Sequence, residues 1–334
     1  MRPEFKYKAL VAEKSGNGEM GLSVQFLNTR SLPENDVLIR VHYSSLNYKD
    51  ALSASGNPGV TKKYPHTPGI DAAGIIEHSS DPQFKEGDKV IVTSYDLGQN
   101  TPGGFGEYIS VPGGWIVPLP AGLSLKESMI IGTAGFTAAY GINKLIDNAI
   151  TAESGDILVT GATGGVGSMA VALLYHLNYR VLAVTGKTKM HNFLKELGAL
   201  KILSREDVSD ISSAPMLSAR WVGVIETVGG EMLDAVLRQT AHNGVVACCG
   251  NILGGQLSTS IYPFILRGVA LMGIDSGICL MEDRLQLWNK LAGDWKPNKL
   301  QILCREITIG ELPDEIEKIL NGEQTGRVVI NLCD

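Results

Sequence analysis

The sequence predicts an α/β protein of two domains, one β-rich and the other built on a doubly wound parallel sheet. Three observations carry that expectation. The first part of the chain is rich in Gly, Pro and short β-type runs; from Asp156 strand-like and helical runs alternate; and a glycine-rich turn joins the first of those later strands to a helix.

In the first part, Asp36–Val41 and Lys89–Val92 read as strands, separated by turn signals such as Glu86-Gly87-Asp88, which points to an antiparallel barrel or sandwich. Six further strands are expected at Ile157–Thr160, Arg180–Val184, Lys201–Leu203, Val222–Glu226, Val245–Cys249 and Ala270–Gly273. Between them, Val166–Leu177 repeats apolar residues at helical spacing, and Thr188–Leu197 offers a cap followed by a helical stretch. Beyond Gly273 a helix is expected near Asp283–Leu291, with strands at Glu306–Ile309 and Val328–Asn331, and this tail is expected to rejoin the first domain. The expected division is therefore 1–131, 132–273 and 274–334.

Composition narrows the function. With 334 residues, 44% hydrophobic and 19% charged, the chain is long enough for two ordinary cores. A net charge of -6 without clustered Lys and Arg argues against nucleic acid as a partner. No run of about 18 apolar residues is present, so no membrane partner is expected. The start, Met1-Arg2-Pro3-Glu4-Phe5-Lys6, lacks the apolar core of a secretory signal, and a cytoplasmic location is expected. The five cysteines lack zinc-lobe spacing and are expected to be reduced and mostly buried.

The strongest motif is Leu158-Val159-Thr160-Gly161-Ala162-Thr163-Gly164-Gly165-Val166-Gly167-Ser168, a strand, a turn of small residues and a helix start. Small residues let a pyrophosphate approach backbone N–H groups, and the helix N-terminus favours its charge; Thr163, Gly164, Gly165 and Val166 are the candidate contacts. In an NAD-selective site an acidic residue about 20 positions on takes the ribose hydroxyls, but here the next strand ends Val184-Thr185-Gly186-Lys187. NADPH is therefore the expected cofactor. Thr185, Gly186 and Lys187, with Arg205 beyond the third strand, are candidates for its 2′-phosphate; the alternative is that Lys187 and Arg205 are solvated surface charges. Asn251, Ile265 and Ser276 are placed at or just beyond the carboxyl ends of late strands, where the nicotinamide half is expected. Cys249 is a weaker candidate nucleophile, since no base adjoins it.

Together with that loop, Ser44-Ser45-Leu46-Asn47-Tyr48-Lys49-Asp50, Pro68-Gly69-Ile70-Asp71-Ala72-Ala73-Gly74, Glu86-Gly87-Asp88-Lys89-Val90, Gly132-Thr133-Ala134-Gly135-Phe136-Thr137-Ala138 and Pro263-Phe264-Ile265-Leu266-Arg267 stand in a specific order. In this the sequence resembles the medium-chain dehydrogenase/reductase superfamily, in the quinone-oxidoreductase-like branch that includes bacterial acryloyl-CoA reductases of the YhdH/YhfP type. The resemblance implies a GroES-like catalytic domain drawn from both ends of the chain, a central Rossmann domain, and a homodimer. The alcohol-dehydrogenase branch carries a catalytic-zinc Cys where Ser45 stands and a His-Glu pair where Ile70-Asp71 stands, so the resemblance implies a metal-free member.

Without a metal, hydride transfer to a conjugated carbonyl requires donors for the enolate oxygen that develops. Tyr48 is a candidate to donate its hydroxyl or to bridge to the cofactor, and Asn47 to supply amide donors; alternatively Asn47 caps a turn and Tyr48 packs as an amphipathic ring. Asp71 is expected to accept hydrogen bonds in the cleft, either orienting those two residues or serving structure alone. The expected reaction is NADPH-dependent reduction of an activated carbon–carbon double bond, acryloyl-CoA to propanoyl-CoA. Reduction of a quinone or enone, and a non-catalytic NADPH-binding sensor, are the alternatives. Lys62 and Lys63 are candidates for a basic rim facing coenzyme A phosphates, or a solvated pair.

Overall fold

The structure, a computed structural model, describes residues 2–16 and 18–333; the terminal positions 1 and 334 of the expected division lie outside them. The chain divides into two compact units. One comprises Met1–Thr133, Gly277–Ala292 and Leu303–Asp334, and the other Ala134–Ser276 with Gly293–Ile302. The expected boundaries need correction at both ends. Gly132 and Thr133 stay with the first unit, where Thr133 is hydrogen-bonded to Asp71. The segment 293–302, expected in the returning tail, belongs to the second.

The chain begins with a hairpin of β1 (Lys6–Lys14) and β2 (Met20–Asn28), then runs through β3 (Val37–Ser45), a short helix α1 (Tyr48–Ala54), β4 (Asp71–Ser79), β5 (Lys89–Thr93), β6 (Tyr108–Val111) and β7 (Ile116–Pro118). A helical stretch α2 (Leu125–Asp147) follows, broken at Gly132, whose φ of 52° and ψ of -162° are open to glycine.

Then come β8 (Asp156–Val159), α3 (Gly165–His176), β9 (Arg180–Val184), α4 (His191–Glu196), β10 (Lys201–Leu203), β11 (Trp221–Glu226), α5 (Gly230–Arg238), β12 (Thr240–Cys248), α6 (Tyr262–Arg267) and β13 (Ala270–Gly273). These six strands are all parallel and lie in the order β10-β9-β8-β11-β12-β13, the doubly wound arrangement expected. The cap and helical stretch expected over Thr188–Leu197 are a 3-10 turn, Thr188–Met190, followed by the six-residue α4. The core beneath the sheet includes Leu158, Leu182, Val184, Val224, Val236 and Val246. Leu158, Val184, Val224 and Val246 recur with the hydrophobic continuity of strands covered on both faces.

The chain ends with α7 (Met281–Ala292), β14 (Cys304–Thr308), α8 (Leu312–Leu320) and β15 (Arg327–Asn331). In the first unit the strands join as β14-β15-β3-β4-β5-β7, with β6 also paired to β3. All of these pairs are antiparallel except β14 with β15. Because β3 is antiparallel to both neighbours, its carboxyl end lies beside the beginnings of β4 and β15. Register brings Ser45 opposite Val329 and Tyr43 opposite Ala73. Ser45 at the end of β3, Asp71 at the start of β4 and Arg327 at the start of β15 are thereby gathered at one edge of the core.

Candidate active site

In the first unit the candidate residues form a buried polar cluster. Asp71, with no exposed surface, is the acceptor at its centre: Ser45 Oγ donates at 2.6 Å, Asn47 Nδ2 at 2.8 Å, Thr133 N at 2.9 Å and Thr133 Oγ1 at 2.5 Å. An unpaired carboxylate at such depth would be strongly disfavoured, and these donors together with Arg327 replace the water it gives up. Arg327 Nη2 lies 3.7 Å from Asp71 Oδ2 and donates to Ser45 Oγ at 2.8 Å. Its Nη1 donates to Asn47 Oδ1 at 3.1 Å and Leu46 O at 3.2 Å, and its Nε to Ile130 O at 3.1 Å. Burial lowers the affinity of Arg327 for its proton, and the charges of Asp71 and Asp50 oppose that shift.

Asn47 stands as the N-cap of α1, with Asp50 returning from the first turn to accept from the Asn47 N–H at 2.8 Å. Asp50 also accepts from Ile70 N at 2.7 Å. Burial, reinforced by the nearby Asp71 charge, pushes its carboxyl up to about 7. The amide of Asn47 faces inward: Nδ2 donates to Asp71 and, at 3.2 Å, to Ser45 O. Both amide hydrogens are thus engaged within the cluster, which corrects the expectation that Asn47 offers them outward. Tyr48, the first residue of α1, differs. It is 40% exposed and its hydroxyl makes no hydrogen bond among the described residues. Ser94, in a left-handed conformation at φ 65°, extends the cluster with its hydroxyl 2.9 Å from Thr133 Oγ1. Since Thr133 already donates to the carboxylate, Ser94 is the donor in that pair.

The second unit holds the glycine-rich turn between β8 and α3. Gly161 is left-handed at φ 54°, and a Cβ on Gly167 would stand 2.3 Å from Gly161 O, so loop and helix approach as only glycine permits. Gly164 caps α3, leaving the Gly165 and Val166 N–H groups in the first turn, where helix geometry supplies no internal acceptor. This arrangement suits a diphosphate. Thr163 Oγ1 lies 3.4 Å from Thr185 Oγ1, which accepts from Lys187 N at 3.0 Å. A Cβ on Gly186 would meet Arg205 Nε at 3.1 Å, so the guanidinium lies across the glycine at the end of β9. Thr163, Thr185, Gly186, Lys187 and Arg205 are therefore brought together.

The later candidates are more dispersed. Asn251 is exposed in the turn after β12, its Cα against Gly229, and Ser276 lies beyond β13 with its hydroxyl 2.6 Å from Thr137 Oγ1. Ile265 is not at a strand end: it is 64% exposed on α6, ahead of β13. The five cysteines form no disulfide, but none is fully buried and Cys333 is exposed, which corrects the mostly buried expectation. Burial and the neighbouring Glu226 carboxylate push Cys248 up to about 11 and Cys249 up to about 12, so neither is a thiolate near neutral pH.

Sequence reasoning missed Arg327, Thr133 and Ser94 as members of the site. The local signal for Arg327 was an arginine opening an otherwise apolar strand, Val328-Val329-Ile330. Thr133 lay inside a motif already singled out, but its partner is 62 positions away.

Residues 33–121 match the model of the alcohol dehydrogenase GroES-like domain, and residues 165–291 that of the zinc-binding dehydrogenases. The acrylyl-CoA reductase AcuI of Ruegeria pomeroyi is 41% identical over 327 residues, 98% of this chain and 99% of its own. The chain belongs to the medium-chain dehydrogenase/reductase family. Among solved structures, the yhdH oxidoreductase from Salmonella enterica, in complex with NADP, superposes with a TM-score of 0.94 at 43% identity, covering 97% of this chain and 99% of that one. Bacillus subtilis yhfP, with NAD bound, gives 0.95 at 44% identity over 98% and 100% of the two chains. The two units are thus the GroES-like and Rossmann-like parts of a medium-chain dehydrogenase/reductase.

The name of the second family model implies zinc, and the residues of this family member do not fit it. The expected ligand positions, 45, 70 and 71, present a hydroxyl, an apolar isoleucine and a carboxylate, the hydroxyl and carboxylate already bonded to each other with a guanidinium beside them. Zinc takes Cys, His or carboxylate donors in a tetrahedron, and among the described residues no group of three or more His, Cys, Asp or Glu is arranged for one.

Proposed function

We propose that this chain is an NADPH-dependent reductase of activated carbon–carbon double bonds, with acryloyl-CoA as substrate and propanoyl-CoA as product. The observation that carries this reading is the full-length likeness to an acrylyl-CoA reductase. The geometry supports it residue by residue. Amides of Gly165 and Val166, with Thr163 and Gly164 beside them, bind the diphosphate; Thr185, Lys187 and Arg205, around Gly186, hold the 2′-phosphate. Asn251 and Ser276 contribute at the nicotinamide half. When bound, NADPH supplies a hydride to the β-carbon of the enoyl thioester. Tyr48, whose hydroxyl is not engaged by any described residue, donates to the enolate oxygen that develops, while Asn47 and Asp71 hold the turn that carries it.

A homodimer is part of the proposal. In the Rossmann-like unit β13 is an edge strand, and Ile261, Tyr262, Ile265 and Leu266 of α6 and the residue before it are exposed, an apolar surface suited to a second copy. A cytoplasmic location is also proposed, supported by cysteines that form no disulfide. No helix among the described residues is long and apolar enough to cross a membrane.

The test is NADPH oxidation followed optically with acryloyl-CoA, crotonoyl-CoA and a simple quinone at equal concentration. The proposal expects the highest kcat/KM with acryloyl-CoA. Preference for the quinone would replace it with a quinone reductase, and NADPH binding without turnover would replace it with a sensor.

A further inference from the structure

We infer that Arg327 is a positioning residue for the reaction, an internal cation that locks the Asn47–Tyr48 turn. The inference rests on the reductase reading, since its effect on chemistry is read as turnover.

The guanidinium ties its own strand, β15, to two segments distant in sequence. It holds Ile130 O through Nε, Leu46 O and Asn47 Oδ1 through Nη1, and Ser45 Oγ through Nη2. Its side chain is 1% exposed, so water offers no substitute for these acceptors. Asn47 is gripped from both ends, its oxygen by Arg327 and its nitrogen by Asp71. A flipped amide would set Nδ2 against the guanidinium and Oδ1 against the carboxylate, so the charges on either side leave one orientation. Tyr48 follows directly, and the backbone that aims it is the Leu46–Asn47 segment that Arg327 holds by a carbonyl and a side chain.

Charge and shape are both required. A guanidinium remains protonated at every working pH and spreads five donors in a plane, which suits acceptors on several sides. A lysine ammonium is a compact point charge and cannot span the same set. Ser45 and Asp71 both face Nη2.

The experiment compares the full-length wild type with R327K and R327A, measuring kcat and KM with acryloyl-CoA and NADPH, and amide hydrogen exchange across residues 45–50 and 130–133. For R327K the expected result is a cooperatively folded protein with kcat lowered about 100-fold, as for a displaced catalytic group, and with KM for NADPH changed by less than about threefold. Exchange in both segments should rise by about tenfold or more, and added methylguanidinium should restore turnover of R327A saturably. Folded R327K with kcat within about twofold of wild type and unchanged exchange would overturn the inference. If R327A fails to fold, R327K decides alone. If the wild type does not turn over acryloyl-CoA, the reductase reading fails separately, and exchange in R327K still decides whether Arg327 locks the turn.

Discussion

Gly132 approaches Arg327 so closely that a Cβ added to the glycine would stand 2.6 Å from Nη2, with Asp71 Oδ2 and Ser45 Oγ at the same distance. The missing side chain makes room for the ion pair, and the φ of 52° independently calls for glycine. Gly132→Ala combines backbone strain of about 1–3 kcal/mol with displacement of the buried pair. At about 2–4 °C per kcal/mol, the melting temperature should fall by roughly 5–10 °C, with loss of turnover. An unchanged melting curve would contradict the close approach.

Tyr48→Phe removes a hydroxyl that makes no hydrogen bond among the described residues. Calorimetry should find stability within about 0.5 kcal/mol of wild type, while kcat falls about 100-fold. Asn47→Ala should behave differently, because it strips partners from both Arg327 and Asp71, and should lower stability by about 1–3 kcal/mol as well as turnover. Equal stability losses in the two variants would contradict the division of roles.

At the end of β9, Lys187→Glu and Arg205→Ala should each weaken NADPH binding by about tenfold or more and leave NADH binding within about threefold, as read by nucleotide fluorescence titration. A parallel loss for both nucleotides would remove the residue concerned from the 2′-phosphate seat.

Asp50 makes a pH prediction. Its folded value of about 7 lies above the unfolded 3.8, so between those limits the native state keeps a proton that the unfolded chain has released. Its contribution is therefore present in full below about pH 4 and is lost as pH rises toward 7, a decline on the order of a few kcal/mol. Denaturation of wild type and Asp50→Asn from pH 4.5 to 8 should show that decline in the wild type alone. Parallel profiles would mean that Asp50 is ionised throughout.

The second unit was legible in the sequence because its signals are local. Each strand of the parallel sheet contains a short apolar run, and the close approaches at Gly161 and Gly167 give that turn a local steric reason for glycine. The polar cluster was half legible. Asn47 and Asp71 stood in recognisable motifs, but what they do depends on Arg327, 280 positions from Asn47, and on strand register that no local pattern encodes. Thus the presence of Asn47 could be read and the inward turn of its amide could not. Ile265 was misplaced because its short helix, α6, intervenes between β12 and β13 and presents that residue outward.

The most direct test of the central claim is the position of the transferred hydride. Acryloyl-CoA should be reduced with each 4-deuterated epimer of NADPH in turn, and the product examined by mass spectrometry and deuterium NMR. The account expects one epimer to deliver a single deuterium to the β-carbon of propanoyl-CoA, with the α-carbon taking its hydrogen from solvent. Deuterium at the α-carbon, or NADPH oxidised without deuterium reaching the thioester, would contradict it.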